Sequence, residues 1–247
     1  MIDKTVPSPQ EAVADIPSGA SIAVGGFGLV GVPVRLIEAL HSQGATDLTI
    51  ISNNCGADGQ GLGILLADHR ISRTIGSYIG YNKEYARQYF AGEIAVEFTP
   101  QGTLAERMRA GGAGIPAFYT TAGVNTPVAD GGIPVRHNPD GSVAELSKPK
   151  ETREFNGELF VLEEAINADF ALVHAKKADQ AGNLVFSKTA RNFNPDAARC
   201  AKVTIAQVEE IVPALDPDEI HVPGIYVQRV VEVGPQETPI EIKKVRQ

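Results

Sequence analysis

A glycine-rich loop is the first part of this sequence whose residue types and spacing could bind a ligand. It follows an apolar run and consists of Gly25, Gly26, Phe27, Gly28, Leu29, Val30 and Gly31. Glycine adopts positive φ angles and carries no side chain, so the backbone N–H groups of such a loop can approach an anionic ligand closely. The same glycines would also suit a tight turn between a strand and a helix that binds nothing.

The glycine spacing also matches the fingerprint G-x-G-x-x-G, which is typical of a Rossmann-type NAD(P)-dependent oxidoreductase. Such a protein has an acidic residue at the end of the second strand, where it binds the ribose of the cofactor. Here the second predicted strand spans residues 48–52. Asp47 lies at its start, and Asn53 and Asn54 follow its end. Because the acidic residue is missing, the oxidoreductase stays an alternative and is not the preferred interpretation.

Two side-chain amides stand where predicted strands end. Asn53 follows the strand at residues 48–52, and Gln101 follows the strand predicted at residues 94–98. In α/β proteins, ligands bind at the carboxyl ends of the strands, and an amide NH₂ group can donate a hydrogen bond to an oxyanion. Asn53 could instead cap a turn, and Gln101 could satisfy backbone groups of its loop. From the residues alone, both interpretations stay open.

The elements that would position these residues alternate along the chain. Short runs rich in β-branched residues alternate with helical patterns through the first two-thirds of the sequence. This alternation predicts an α/β fold in which helices cover a mostly parallel sheet. We expect a single domain over residues 1–247.

Residues 123–160 interrupt this alternation. Glycine, proline and aspartate are frequent there, and the turn signals GGIP and NPDG occur. We therefore expect an irregular, β-rich excursion from the main fold, with a hairpin turn at Asn156 and Gly157. Next to it, we expect residues 117–120 to join the main sheet and residues 162–167 to form a helix.

Longer segments resemble a known family. The stretch GASIAVGGFGLVGVP, residues 19–33, resembles the first signature of coenzyme A transferases, although the family usually has Asp or Asn where this sequence has Ser18. Further segments resemble alpha subunits of the 3-oxoacid CoA-transferases of family I: SNNCG from Ser52, FTPQGTLAERMRAGGAGIPAFYT from Phe98, REFNGELFVLEEAI from Arg153 and ARNFN from Ala190. The resemblance extends over roughly residues 4–235.

The resemblance implies a reaction and a partner. In this family an enzyme glutamate attacks an acyl-CoA and then carries the CoA as a glutamyl-CoA thioester. That glutamate lies in a Ser-Glu-Asn-Gly motif of the beta subunit, whereas the loop at residues 52–56 of this chain contains no glutamate. The resemblance therefore implies an alpha subunit without the nucleophile, paired with a beta subunit in an α2β2 heterotetramer.

For substrates and residues, the resemblance implies succinyl-CoA and acetoacetate, with coenzyme A as a substrate moiety and no permanently bound cofactor. It implies CoA contacts by the glycine-rich loop at residues 25–31. It further implies that Asn53 and Gln101 stabilise the oxyanion or position the substrate. A non-catalytic sugar-phosphate sensor built on a related α/β fold is a second alternative from a different functional class.

Composition limits the remaining possibilities. The formal net charge is −8, from 22 Lys and Arg against 30 Asp and Glu, so the sequence lacks the basic surface of proteins that bind nucleic acid or anionic membranes. Cys55 and Cys200 are far apart, and the five histidines show no metal-binding spacing, so we expect free thiols and no metal. The N-terminal residues show no apolar export segment, and we expect a cytoplasmic protein.

Overall fold

A computed structural model describes residues 3–237. Within them the strands are β1 (Ser21–Val24), β2 (Leu48–Ile51), β3 (Ile71–Gly76), β4 (Ala95–Phe98), β5 (Ala117–Thr120), β6 (Pro134–His137), β7 (Val143–Leu146), β8 (Thr152–Phe155), β9 (Glu158–Glu164), β10 (Ala168–Asp179), β11 (Leu184–Val185), β12 (Ala201–Val212) and β13 (Arg229–Glu232). The α-helices are α1 (Pro9–Val13), α2 (Val34–Gln43), α3 (Gly63–Ala67), α4 (Lys83–Phe90), α5 (Gln101–Gly112), α6 (Pro127–Asp130) and α7 (Asn194–Arg199).

An eight-stranded sheet forms the centre of the fold. Its order is β13-β12-β10-β1-β2-β3-β4, and β11 pairs antiparallel with β10. The other strand pairs of this sheet are parallel. The predicted α/β fold with a mostly parallel sheet is therefore confirmed.

Both faces of this sheet are covered because its strands carry apolar residues on both sides. In β1, Ile22 and Val24 belong to one buried core together with Leu36 of α2. Ala23, between them, belongs to the core of the other face together with Leu104 of α5. Successive side chains of a strand point to opposite faces, so an uninterrupted apolar run is what a sheet buried on both sides requires.

The expected β-rich excursion is confirmed as two small antiparallel sheets, one in the order β5-β9-β8 and one made of β6 and β7. Asn156 and Gly157 have φ angles of 54° and 80° and connect β8 to β9, as the predicted hairpin turn requires. Two neighbouring expectations were wrong. Residues 117–120 form β5 and pair with β9 instead of joining the main sheet, and β9 occupies the start of the expected helix at residues 162–167.

Pairing and burial override the local helix preference of that segment. Val161 and Glu163 are two positions apart on one face of β9 and are 0% and 1% exposed. The carboxylate of Glu163 accepts a hydrogen bond of 2.5 Å from Nζ of Lys150. Since burying a carboxylate is costly unless it is paired, the contact with Lys150 favours the extended conformation that places Glu163 inside.

The loops after β1, β2, β3 and β4 meet at one edge of the main sheet, because these four strands are neighbours and run parallel. This carboxyl edge is where α/β sheets bind ligands. None of the helices within residues 3–237 combines the length and the apolar character needed to cross a membrane.

Candidate active site

A cavity of about 500 Å³ lies at this carboxyl edge. Its walls come from the loops that follow β1, β2 and β3 and from the first residue of α5. The lining residues are Phe27, Gly28, Val30, Asn53, Asn54, Gly56, Ala57, Ser77, Tyr78, Gly80, Tyr81 and Gln101. The fold thus brings Asn53, Gln101 and part of the glycine-rich loop to the same cavity, although they are distant in sequence.

Asn53 is fixed in place from two sides. It is only 5% exposed. Its Oδ1 accepts a hydrogen bond of 2.6 Å from the hydroxyl of Ser77, and its Nδ2 donates one of 3.3 Å to Oδ1 of Asn54. Its backbone carbonyl accepts a further hydrogen bond of 3.0 Å from the backbone N–H of Ser77. One of the two N–H bonds of Nδ2 is therefore used within the protein.

Asn54 joins this loop to the glycine-rich loop. Its Oδ1 accepts a hydrogen bond of 3.0 Å from the backbone N–H of Gly28, and its Nδ2 donates one of 3.3 Å to the carbonyl of Gly56. In the sequence, Asn54 stands out only as the residue after Asn53. Its contact with Gly28 depends on how β1 and β2 pair, which the sequence pattern does not specify.

The glycine-rich loop contributes only part of its residues to the cavity. Phe27, Gly28 and Val30 line it. The remaining residues of the loop are buried inside the protein: Gly25, Gly26, Leu29 and Gly31.

Two of those glycines are required by packing within the chain. A Cβ atom at Gly25 would lie 1.9 Å from Oδ1 of Asn194. At Gly31, where φ is +72°, a Cβ would lie 2.5 Å from the carbonyl oxygen of Ala190. The segment that starts at Ala190 therefore packs directly against the back of the loop, and glycine permits this close approach.

Gln101 is the first residue of α5 and is exposed. Its side chain makes no hydrogen bond to any residue within 3–237, in contrast to the side chain of Asn53. The amide of Gln101 is thus available to a ligand in the cavity. Its location at the carboxyl edge agrees with the position predicted from the sequence.

Two tyrosines on the rim of the cavity were not predicted. The rings of Tyr78 and Tyr81 make an edge-to-face contact with their centroids 6.0 Å apart. They are 48% and 70% exposed, and Tyr81 has a φ of +63°, which is unusual for a residue with a side chain. Gly80 lies between them, and a Cβ there would be 2.2 Å from the hydroxyl oxygen of Tyr78. The pattern Tyr-x-Gly-Tyr directly after a strand was the available signal.

Cys55 is close to these residues in sequence but does not line the cavity. It is 2% exposed, and burial raises the pKa of its thiol to about 12. Its backbone carbonyl accepts a hydrogen bond of 2.8 Å from Nδ2 of Asn82, which fixes the loop to the start of α4. A buried, protonated thiol is a poor nucleophile.

One group of side chains has atoms close enough to hold a metal ion. The ligand atoms of His69, Glu84 and Glu93 lie within 4.8 Å of one another. However, Arg87 already forms ion pairs with Glu84 and Glu93 at 2.8 and 2.7 Å. Hydrogen bonds from Arg87 and Gln88 lower the pKa of Glu84 to about 2. The guanidinium thus takes the position that a metal ion would need.

The cavity can therefore donate hydrogen bonds but cannot supply strong acid–base or nucleophilic chemistry by itself. Its lining offers side-chain amides, hydroxyl groups, aromatic rings and glycine backbone. It contains no Asp, Glu, His, Cys, Lys or Arg among the residues that the structure describes. Such a lining suits the stabilisation of an oxyanion whose nucleophile comes from elsewhere.

Known proteins resemble this chain over its whole length. It is 57% identical to the A subunit of the probable succinyl-CoA:3-ketoacid coenzyme A transferase of Mycobacterium tuberculosis, and the match covers 100% of both chains. It is 53% identical to the mitochondrial succinyl-CoA:3-ketoacid coenzyme A transferase 2 of Homo sapiens, over 94% of this chain but only 46% of the human protein. The chain thus spans about half the length of the human relative.

The fold has solved counterparts as well. The apoenzyme of the acyl-CoA transferase YdiF from Escherichia coli O157:H7 superimposes with a TM-score of 0.79 at 24% identity, over 94% of this chain and 47% of YdiF. At this identity the likeness concerns the fold. A family model described as coenzyme A transferase matches residues 6–233. The chain therefore belongs to the coenzyme A transferase family.

Proposed function

We propose that this chain is the A, or alpha, subunit of a cytoplasmic enzyme that transfers CoA from succinyl-CoA to a 3-oxoacid such as acetoacetate. A separate beta subunit would supply the nucleophilic glutamate. The observation that carries this proposal is the 57% identity, over the full length, to a relative that bears the name of the A subunit of such an enzyme. The cavity supports it, because the lining offers hydrogen-bond donors and no carboxylate.

The proposed reaction proceeds by covalent catalysis. The glutamate of the partner attacks the thioester carbonyl of succinyl-CoA, a C–O bond forms, and the CoA thiolate leaves. The thiolate then attacks the glutamyl carbonyl of the resulting anhydride, which releases succinate and leaves a glutamyl-CoA thioester. Acetoacetate repeats the two steps in reverse order, so acetoacetyl-CoA leaves and the glutamate is regenerated.

Each of these attacks passes through a tetrahedral oxyanion, and this chain would stabilise it. Asn53 has one N–H of its side-chain amide hydrogen-bonded to Asn54, which leaves the second for a substrate oxygen. Gln101 has both N–H bonds of its side chain free, and both residues line the cavity. Donors that are held in place before the reaction stabilise an oxyanion most effectively.

We assign the CoA contacts to the residues of the glycine-rich loop that line the cavity, namely Phe27, Gly28 and Val30. Coenzyme A would bind there only as part of a substrate. The human relative and YdiF are about twice as long as this chain, which supports a need for a second half here as a partner subunit. An α2β2 heterotetramer is the assembly that we propose.

The alternatives have less support. Within the described residues, β2 is followed by Ser52, Asn53 and Asn54, so the acidic residue that a dinucleotide site uses for the ribose is missing. A sugar-phosphate sensor would be expected to place cations near its ligand, and the cavity lining has none.

The test is turnover by this chain with and without a partner. The chain alone should not transfer CoA from succinyl-CoA to acetoacetate, whereas the complex with a beta subunit should. Native mass spectrometry of the complex should give two copies of each subunit. Turnover by the chain alone, or saturable NADH binding without any response to succinyl-CoA, would overturn the proposal.

Two variants test the site within the complex. Removing an oxyanion donor typically lowers turnover by about 10²–10³-fold, so we expect losses of that order for Asn53→Ala and Gln101→Ala. Gln180→Ala is a matched control, because Gln180 is exposed and lies outside the cavity lining. Turnover within about threefold of wild type for both variants, far less than the loss expected of a donor, would refute these roles.

A further inference from the structure

A directed chain of hydrogen bonds runs behind the cavity and ends at Ser77. It begins at the backbone N–H of Gly28, which donates to Oδ1 of Asn54 at 3.0 Å. Nδ2 of Asn53 donates to the same oxygen at 3.3 Å. Oδ1 of Asn53 in turn accepts from the hydroxyl of Ser77 at 2.6 Å.

The backbone N–H of Gly28 fixes the direction of this chain. A side-chain amide can be turned either way, but a backbone N–H can only donate, so the Asn54 atom that faces it must be the oxygen. That oxygen requires a donor from Asn53, which must therefore present its NH₂ group. The amide oxygen of Asn53 is then left facing Ser77 and needs a donor there.

Ser77 is placed to provide that donor. A Cβ at Gly76 would lie 2.8 Å from the carbonyl oxygen of Ser52, so the end of β3 lies tightly against the asparagine loop. The hydroxyl proton of Ser77 has two acceptors within reach, Oδ1 of Asn53 at 2.6 Å and the carbonyl of Asn53 at 3.2 Å. The carbonyl already accepts the backbone N–H of Ser77, and the shorter contact is to Oδ1, so the proton goes to Oδ1.

We propose that Ser77 is a positioning residue, whose hydroxyl orients the amide of Asn53 so that its free N–H is presented to the reacting oxyanion. This inference rests on the proposed function. Ser77 also lines the cavity, so direct contact with substrate is the competing explanation. The two explanations differ in whether the effect of Ser77 depends on Asn53.

The test is a double-mutant cycle in the assembled complex with Ser77→Ala, Asn53→Ala and both changes together. Ser77→Ala alone should lower kcat by about five- to tenfold, the loss that one neutral hydrogen bond supports, with little change in KM. The double variant should be no slower than Asn53→Ala, because there is then no amide left to orient. A double variant slower by the full factor of Ser77→Ala, or Ser77→Ala at the wild-type rate, would overturn the proposal.

Two controls separate positioning from a general structural effect. Ser77→Thr keeps the hydroxyl and should retain most of the wild-type kcat. Ser42→Ala removes a hydroxyl that donates only to the carbonyl of Glu38 on an exposed part of α2, and it should leave kcat unchanged. Loss of activity in Ser77→Thr equal to that in Ser77→Ala contradicts a role for the hydroxyl.

A second measurement does not depend on turnover. In the full chain, selectively labelled with ¹⁵N-asparagine, the two side-chain N–H signals of Asn53 should shift and exchange faster in Ser77→Ala. Unchanged signals would overturn the positioning role even if the complex proves to be an active transferase. Conversely, if wild type transfers no CoA but these signals do shift, the proposed function fails while the orientation of Asn53 by Ser77 stands.

Discussion

Asn194 is the residue whose replacement should test most directly how the glycine-rich loop is held. It is 0% exposed. Its Oδ1 accepts a hydrogen bond of 2.9 Å from the backbone N–H of His174, and its Nδ2 donates to the carbonyls of Gly31 and Ala190, each at 2.9 Å. One side chain therefore connects the loop to β10 and to the segment before α7.

Asn194→Asp keeps the shape of the side chain but replaces its donor by an oxygen. The contact with His174 survives, whereas the carbonyls of Gly31 and Ala190 lose their donor and face a buried carboxylate. Two lost hydrogen bonds cost about 1 kcal/mol each, and the unpaired buried groups add at least as much again, so we expect about 3 kcal/mol of destabilisation. For a chain of this length, that corresponds to a fall in Tm of about 6–12 °C.

The pH dependence of the variant provides a further test. Burial without a cationic partner raises the pKa of the new carboxyl in the folded state above its unfolded value of about 3.9. A raised folded-state pKa means that stability is retained at low pH and lost as the pH rises through that value. In its protonated form the carboxyl can also donate to one of the two carbonyls. The Tm difference between wild type and Asn194→Asp should therefore widen from pH 5 to pH 8.

The assay is thermal unfolding followed by circular dichroism at several pH values. Asn156→Asp is the matched control, since Asn156 is exposed in the turn between β8 and β9. Aspartate also tolerates its positive φ, so this variant should stay within about 0.5 kcal/mol of wild type. If Asn194→Asp unfolds within about 2 °C of wild type at pH 8, the contacts of Asn194 do not hold the loop as argued.

Two further predictions concern the cavity and its surroundings. Tyr81→Asn should raise Tm slightly, by up to about 1 kcal/mol of stability, because asparagine tolerates the φ of +63° better than tyrosine does; a lower Tm in thermal unfolding would contradict this. Cys55 and Cys200 are 2% and 3% exposed, and burial raises the pKa of each thiol to about 12. Neither should therefore react with iodoacetamide at pH 8 until urea unfolds the protein, and a mass increase in the native state would show otherwise.

Local patterns in the sequence were sufficient for the framework of the fold. Runs such as residues 21–24 and 48–52 are apolar on both faces, and this is enough to predict buried parallel strands whose carboxyl ends meet. The turn at Asn156 and Gly157 was predictable because few other residues accept two successive positive φ angles. Asn53 and Gln101 were found for the same reason, as polar residues placed directly after strands.

What depends on contacts between distant segments was not predictable. The helix expected at residues 162–167 failed because Glu163 is paired with Lys150, thirteen positions away, inside a small sheet. The glycines of the loop could be recognised, but not that Gly25 and Gly31 are needed for the approach of Asn194. Likewise, the hydrogen bond between Ser77 and Asn53 follows from the pairing of β2 with β3, which no local pattern encodes.

The composition of the cavity gives a physical reason for placing the nucleophile on another chain. A carboxylate is a strong hydrogen-bond acceptor, and a glutamate within this lining would occupy the free N–H groups of Asn53 and Gln101 before any substrate arrived. With the glutamate on a partner subunit, the donors of this chain are instead oriented by neutral groups, the amide of Asn54 and the hydroxyl of Ser77. An oxyanion then meets donors that are already directed and unoccupied, which is the condition under which such donors accelerate a reaction most.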